Sequence, residues 1–119
     1  MQESKRQKQV ARLIQEEMSS IFVKEGLNMS NGGMVSISKV SVTPDLLEAR
    51  IFLSLFQVPD NQQYLEQIQQ KTSELRRILG NHLAHNLRRI PELQFFIDDT
   101  QDHVFKLEEI FKDINKKEN

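Results

Sequence analysis

Residues Met34–Phe56 read MVSISKVSVTPDLLEARIFLSLF, and this stretch decides the fold. Its second half alternates cleanly. Ala49, Ile51, Leu53 and Leu55 fall on one side of an extended chain, and Arg50, Phe52, Ser54 and Phe56 on the other. That period of two marks a strand, and Phe52 and Phe56 predict burial on its second face as well. The first half, Met34 to Val42, is rich in β-branched residues, but its alternation slips. Val35 and Ile37 share one face, whereas Val40 and Val42 share the other. A bulge near Ser38–Lys39 returns both pairs to the core side. Between the halves, Thr43-Pro44-Asp45 is turn chemistry, because the proline ring presets φ. So short a connection makes the two strands an antiparallel hairpin.

Towards the N-terminus, Asn28 to Gly33 is expected as a polar loop. A helix precedes it. Val10, Leu13, Ile14, Met18, Ile21 and Phe22 recur at three- and four-residue spacing, a single buried stripe. Lys5, Lys8, Arg12, Gln15 and Ser19 occupy the opposite face. Ser4 and Gln7 stand at capping-box spacing, where each side chain satisfies an orphan N–H of the other's residue. Gly26 supplies the left-handed stop.

Towards the C-terminus, Pro59-Asp60-Asn61 opens a long helix carrying Leu65, Ile68, Thr72, Leu75, Leu79, Leu83 and Leu87 at helical period. It must end before Pro91, and Gly80 in its interior is expected to mark a bend. Leu93, Phe95 and Ile97 alternate in a third strand, and Asp98-Asp99-Thr100 turns the chain. Val104, Leu107, Phe111 and Ile114 predict a closing amphipathic helix, with residues 115–119 frayed. The order is α-β-β-α-β-α. A helical crossover before the third strand requires that strand to run parallel to a neighbour. The expectation is one α+β domain over residues 1–119, a mixed three-stranded sheet with helices packed on one face.

A chain of 119 residues suits one domain. The absence of cysteine excludes disulfides, thiolate metal sites and cysteine nucleophiles. The N-terminus, Met-Gln-Glu-Ser-Lys-Arg, does not read as a signal peptide. No apolar run approaches the ~20 residues of a membrane span, so a cytoplasmic location is expected. The net charge of −1 hides an asymmetry: residues 1–91 carry 12 basic and 9 acidic side chains, and residues 92–119 carry 4 and 8. A polarised molecule of this kind can offer a basic face to phosphates.

Catalysis needs converging titratable groups, and none are evident. Asp98 and Asp99 sit where acidic residues favour a helix N-terminus. His82 and His85 lack a third ligand for a metal and read as solvated or phosphate-facing; His103 reads as a cap-region residue. Asn31-Gly32-Gly33 precedes a strand, not a helix, and lacks the phosphate-loop pattern. Phe95 belongs to the core stripe, and Phe96 is assigned to packing rather than to base stacking. What remains is basic. Lys71, Arg76, Arg77, Arg88 and Arg89 face Glu74 alone between positions 71 and 89, joined by His82 and His85. The first helix adds Lys5, Arg6, Lys8 and Arg12. A solvated helix surface is the bland reading of such a run; phosphate recognition, for which the arginine fork is well suited, is the sharper one.

Four stretches resemble the ribosome-binding factor A family, over roughly Arg6 to Ile114. They are the opening helix RQKQVARLIQEE from Arg6, the hairpin VSVTPDLLEARIFLS from Val40, LRRIPEL from Leu87, and FFIDDT from Phe95. The resemblance implies a KH-like fold of the second type without the Gly-x-x-Gly clamp, and this chain has no glycines so spaced. The family's helix–kink–helix carries an Ala-x-Gly signature; Lys71-Thr72-Ser73 stands there instead. With Gly80–Pro91 also slightly longer than usual, the bend is expected to move towards Gly80. The resemblance further implies binding to the immature small (30S) ribosomal subunit and its 16S rRNA, help in late assembly and 5′-end processing, and a link to growth in the cold. It implies no enzymatic activity and no cofactor, and allows a maturation GTPase as a further partner. A monomer is expected. Two other readings compete: a KH-like module for single-stranded RNA, and a protein-only adaptor docking through the acidic C-terminal third.

Overall fold

The computed structural model describes residues 3–98. The chain runs α1 (Lys5–Lys24), β1 (Met29–Ser30), β2 (Gly33–Val42), β3 (Glu48–Phe56), α2 (Asn61–Gln70), α3 (Thr72–Leu83) and β4 (Glu92–Ile97). The expected helix through Val104–Ile114, the 115–119 tail, His103 and the Asp99–Thr100 part of the turn lie outside the described residues.

The hairpin forms as its alternation dictates. β2 and β3 pair antiparallel, and the register shifts between Ile37 and Lys39. The bulge at Ser38 therefore puts Val35, Ile37, Val40 and Val42 all in the core. β4 pairs parallel to β3, as the helical crossover requires. The sheet has four strands rather than three, in the order β1-β2-β3-β4. Met29 and Ser30 lie in the segment read as a loop, yet they pair with Met34 and Gly33. Two residues are too few to display an alternation. The architecture is α+β, with a mixed sheet.

The three described helices contribute to one core with the sheet's inner face. Val10, Ile14, Met18, Ile21 and Phe22 of α1 join Ile68 of α2, Leu75, Leu79 and Leu83 of α3, and Ile51, Leu53 and Phe95 of the strands. The α1 cap is the expected box: Gln7 N–H donates to Ser4 Oγ at 3.1 Å, and Ser4 N–H to Gln7 Oε1 at 2.7 Å. Gln7 is also buried, and its Nε2 donates to the Val42 carbonyl at 2.8 Å, so the box ties α1 to the sheet. The Tyr64 hydroxyl of α2 donates to the Leu27 carbonyl in the same way. Burial pushes that phenol's pKa above its ordinary value.

The long helix is broken, but not at Gly80. α2 ends and α3 begins at Lys71, whose N–H turns back to the Ile68 carbonyl at 3.0 Å. Thr72 Oγ1 donates to the same carbonyl at 3.4 Å; such back-bonding competes with a continuous helix. The break thus falls at the kink position that Lys71-Thr72-Ser73 was matched to. Gly80 lies within α3, where a Cβ would meet Ile90 Cγ1 at 3.4 Å. That is an ordinary contact distance, so the returning chain packs beside the helix here without requiring glycine. α3 stops at Leu83, well before Pro91, and Leu87 reaches the core from the irregular segment beyond.

On the sheet's other face, Phe52 is half-buried, while Phe56 and Phe96 are exposed. The expected burial on this face holds in part at Phe52 and fails at Phe56, and the assignment of Phe96 to core packing does not hold. No described helix lies over that face to bury them.

Candidate nucleic-acid interface

The basic residues singled out in the sequence separate into three kinds once the chain is folded. Arg12 faces Glu16 one turn on, at 3.2 Å, with both side chains largely in solvent. Such a pair contributes little to stability, on the order of 0.5 kcal/mol, and it blunts the charge locally. His82 is neither simply solvated nor free for phosphate: its Nδ1 meets Glu17 Oε2 at 3.1 Å, joining α3 to α1. Lys71 is exposed at the helix break. His85 is exposed in the turn after α3.

Arg76 has structural work. Its Nε donates to the Pro91 carbonyl at 3.0 Å and its guanidinium Nη2 to the Ile90 carbonyl at 2.7 Å. The fork clamps the returning segment to α3 beside Gly80. Lysine offers a point charge rather than a fork, so Arg76→Lys is expected to lose one of these two charge-assisted bonds. We expect a loss of about 2 kcal/mol, read as a lower denaturant midpoint at unchanged slope. An unaltered midpoint would remove the clamp.

The clamp fixes where Arg88 and Arg89 stand. They are exposed, and with Arg6 of α1 they line an open cleft of about 300 Å³, whose floor includes Val10, Leu47 and Leu87. A neighbouring cleft of about 330 Å³ shares Arg89 and contains Arg76, and a third joins Arg76 to Arg77. Arginines from near the two ends of the described chain thus share one surface. Lys5 and Lys8 are exposed on the same N-terminal part of α1.

Three carboxylates line this surface, Asp45 in both larger clefts and Glu48 and Glu92 in the second, and sequence reasoning assigned Asp45 only to a turn. Asp45 accepts from Thr43 Oγ1 at 2.6 Å and from Leu47 N–H at 3.1 Å. These bonds hold its pKa below the ordinary carboxylate value, the hydroxyl bond most. A depressed pKa stabilises the turn above the ordinary carboxylate range, and that support fades as pH falls through the lowered value. Two basic residues outside the sequence-derived set, Lys39 and Arg50, are exposed on the sheet. Their signal was their place on the polar side of each strand's alternation.

Among the described residues, no group of three histidines or carboxylates could hold a metal ion. No described helix is long and apolar enough to cross a membrane.

A family model described as "Ribosome-binding factor A" matches residues 6–111. The chain is 38% identical over 112 residues to a protein of that name from Cytophaga hutchinsonii, covering 94% of this chain and 84% of that one. It is 38% identical over 105 residues to one from Prosthecochloris aestuarii, covering 87% and 84%. In structure it resembles ribosome-binding factor A from Thermus thermophilus, with a TM-score of 0.64 at 13% identity, over 76% of this chain and 94% of that one. It also resembles a homology model of the Thermus thermophilus factor fitted into a cryo-EM map of a 30S complex, with a TM-score of 0.56 at 15% identity, over 82% and 96%.

Proposed function

The chain belongs to the ribosome-binding factor A family, and from that premise we propose that it binds the small ribosomal subunit through 16S rRNA and assists late assembly and 5′-end processing. The convergence of Arg6, Arg88 and Arg89 at one cleft carries the reading. Three exposed guanidiniums there offer bidentate donors to phosphate oxygens, while the apolar floor accepts a sugar or base edge. Contacts of this kind set affinity and register rather than base identity. A Thermus thermophilus relative fitted as a complex with the 30S subunit supports the choice of partner.

The work is done by binding energy alone, without catalysis or cofactor. The protein stabilises one conformation of the immature rRNA and so shifts its population. It acts in the cytoplasm as a monomeric single domain, consistent with growth in the cold, and a maturation GTPase assists its release. The helix–strand order and the kinked α2–α3 pair at the family's kink position support a KH-like arrangement of the second type.

Co-sedimentation of the full chain with small subunits, precursor-containing small subunits and large subunits at two salt concentrations tests this. Salt-sensitive binding confined to the small subunit is the expected result. Absence from both small-subunit forms would sink it and turn attention to short single-stranded RNA.

A further inference from the structure

The described helices leave one face of the sheet open, and two apolar rows cross it. Met29, Met34 and Phe56 are register partners across β1, β2 and β3. Met34 is 63% and Phe56 49% exposed. In the second row Lys39, Phe52 and Phe96 are partners across β2, β3 and β4. The Phe52 and Phe96 rings stack at 5.5 Å, with Lys39 Nζ 6.0 Å from the Phe52 centroid. Between the rows lie Ser36 and Ser54. Ser54 is only 9% exposed although it projects from this face.

We propose that the open face is the docking site of this chain's own C-terminal segment, residues 99–119. Three observations favour that occupant. The first is where the described chain ends. Asp98 follows β4 directly, and its Oδ2 accepts from Ser38 Oγ at 2.7 Å, so its side chain already reaches across β3 on the open face. Second, Val104, Leu107, Ile110, Phe111 and Ile114 fall within one helical stripe. Third, the dimensions agree. Ten helical residues span about 15 Å on a body about 10 Å wide. The two rows are four strand residues apart, about 13 Å, and three strands are about 10 Å across.

The lack of native cysteine allows a clean test on the full-length chain. A nitroxide is attached through Glu109→Cys, which lies opposite the apolar stripe. Amide signals are compared with those of a diamagnetic label. Loss of the Ser36, Lys39, Arg50 and Phe96 signals is expected, with the outer residues of α1 spared and no change on dilution. Phe111→Asp in the labelled chain should restore the signals. Broadening spread evenly over the protein, or strongest on α1, would overturn the proposal. Broadening that fades on dilution would assign the face to a second copy. Open-face signals that stay sharp, and shift on adding a short single-stranded RNA, would assign it to RNA.

Discussion

Gly33→Ala is expected to destabilise the fold by about 3 kcal/mol, lowering Tm by roughly 10–15 °C for a domain of this size. The reason is a backbone crossing. β3 leaves the sheet at Gln57, whose positive φ of 58° folds the chain over the start of β2. A Cβ on Gly33 would meet Gln57 O at 2.6 Å, Gln57 C at 2.7 Å and Val58 N at 2.7 Å. All three are main-chain atoms, so no rotamer change relieves the contact. Either β2 or the entry to α2 must shift, and β2 is held by its pairing with β3. Alanine's smaller unfolded-state entropy returns only about 0.5–1 kcal/mol. Gly32→Ala is the matched control. Its φ is 88°, but nothing lies within 4 Å of its Cβ position. Left-handed strain alone costs about 1–2 kcal/mol. Equal midpoints for the two variants in thermal or denaturant melts would refute the crossing argument.

That crossing also shows where sequence reasoning stops. Asn31-Gly32-Gly33 was legible as a turn, but the obligation on Gly33 comes from residues 57 and 58, which only the folded chain brings near. The features that were legible are local. Ser4 and Gln7 cap within one turn, and the slipped alternation at Ser38–Lys39 predicted the bulge because side-chain period in a strand is strict. The break at Lys71 was obscured for the opposite reason. Ile68, Thr72, Leu75 and Leu79 keep helical spacing straight through it, so periodicity registered no interruption. Gly80 drew the bend in its place because an interior glycine commonly signals one, yet it lies within α3 with room for a Cβ at ordinary contact distance from Ile90. The candidate site was legible as an inventory of cations and not as a site. Nothing in residues 71–89 distinguishes Arg76, bonded to two carbonyls, from Arg88 and Arg89, which are exposed. Arg6 joins them only because the hairpin turn and the 84–91 segment meet at the N-terminal end of α1.

Replacing Arg6, Arg88 and Arg89 together by glutamine should weaken binding to small subunits about 100-fold at roughly 0.15 M salt, on the proposed reading. Each phosphate contact contributes about 0.7–0.9 to the log–log salt slope, so three should shallow it by about 2–3 units. The two numbers are not independent: the affinity loss must shrink as salt rises, because counterion release is what the arginines supply. Exposed side chains such as these carry little folding energy, about 0.5 kcal/mol each at most, so the melt should barely move. This separates them from Arg76, whose loss is expected in the melt. Arg12→Gln is the negative control, since Glu16 already pairs with that charge. A triple variant that binds with unchanged slope would clear the cleft of any role. Lys39 and Arg50, on the opposite side of the sheet from the helices, would then be the cations to test next. Their involvement would require RNA and the C-terminal segment to compete for one face, so that deleting residues 99–119 would strengthen binding instead of leaving it alone.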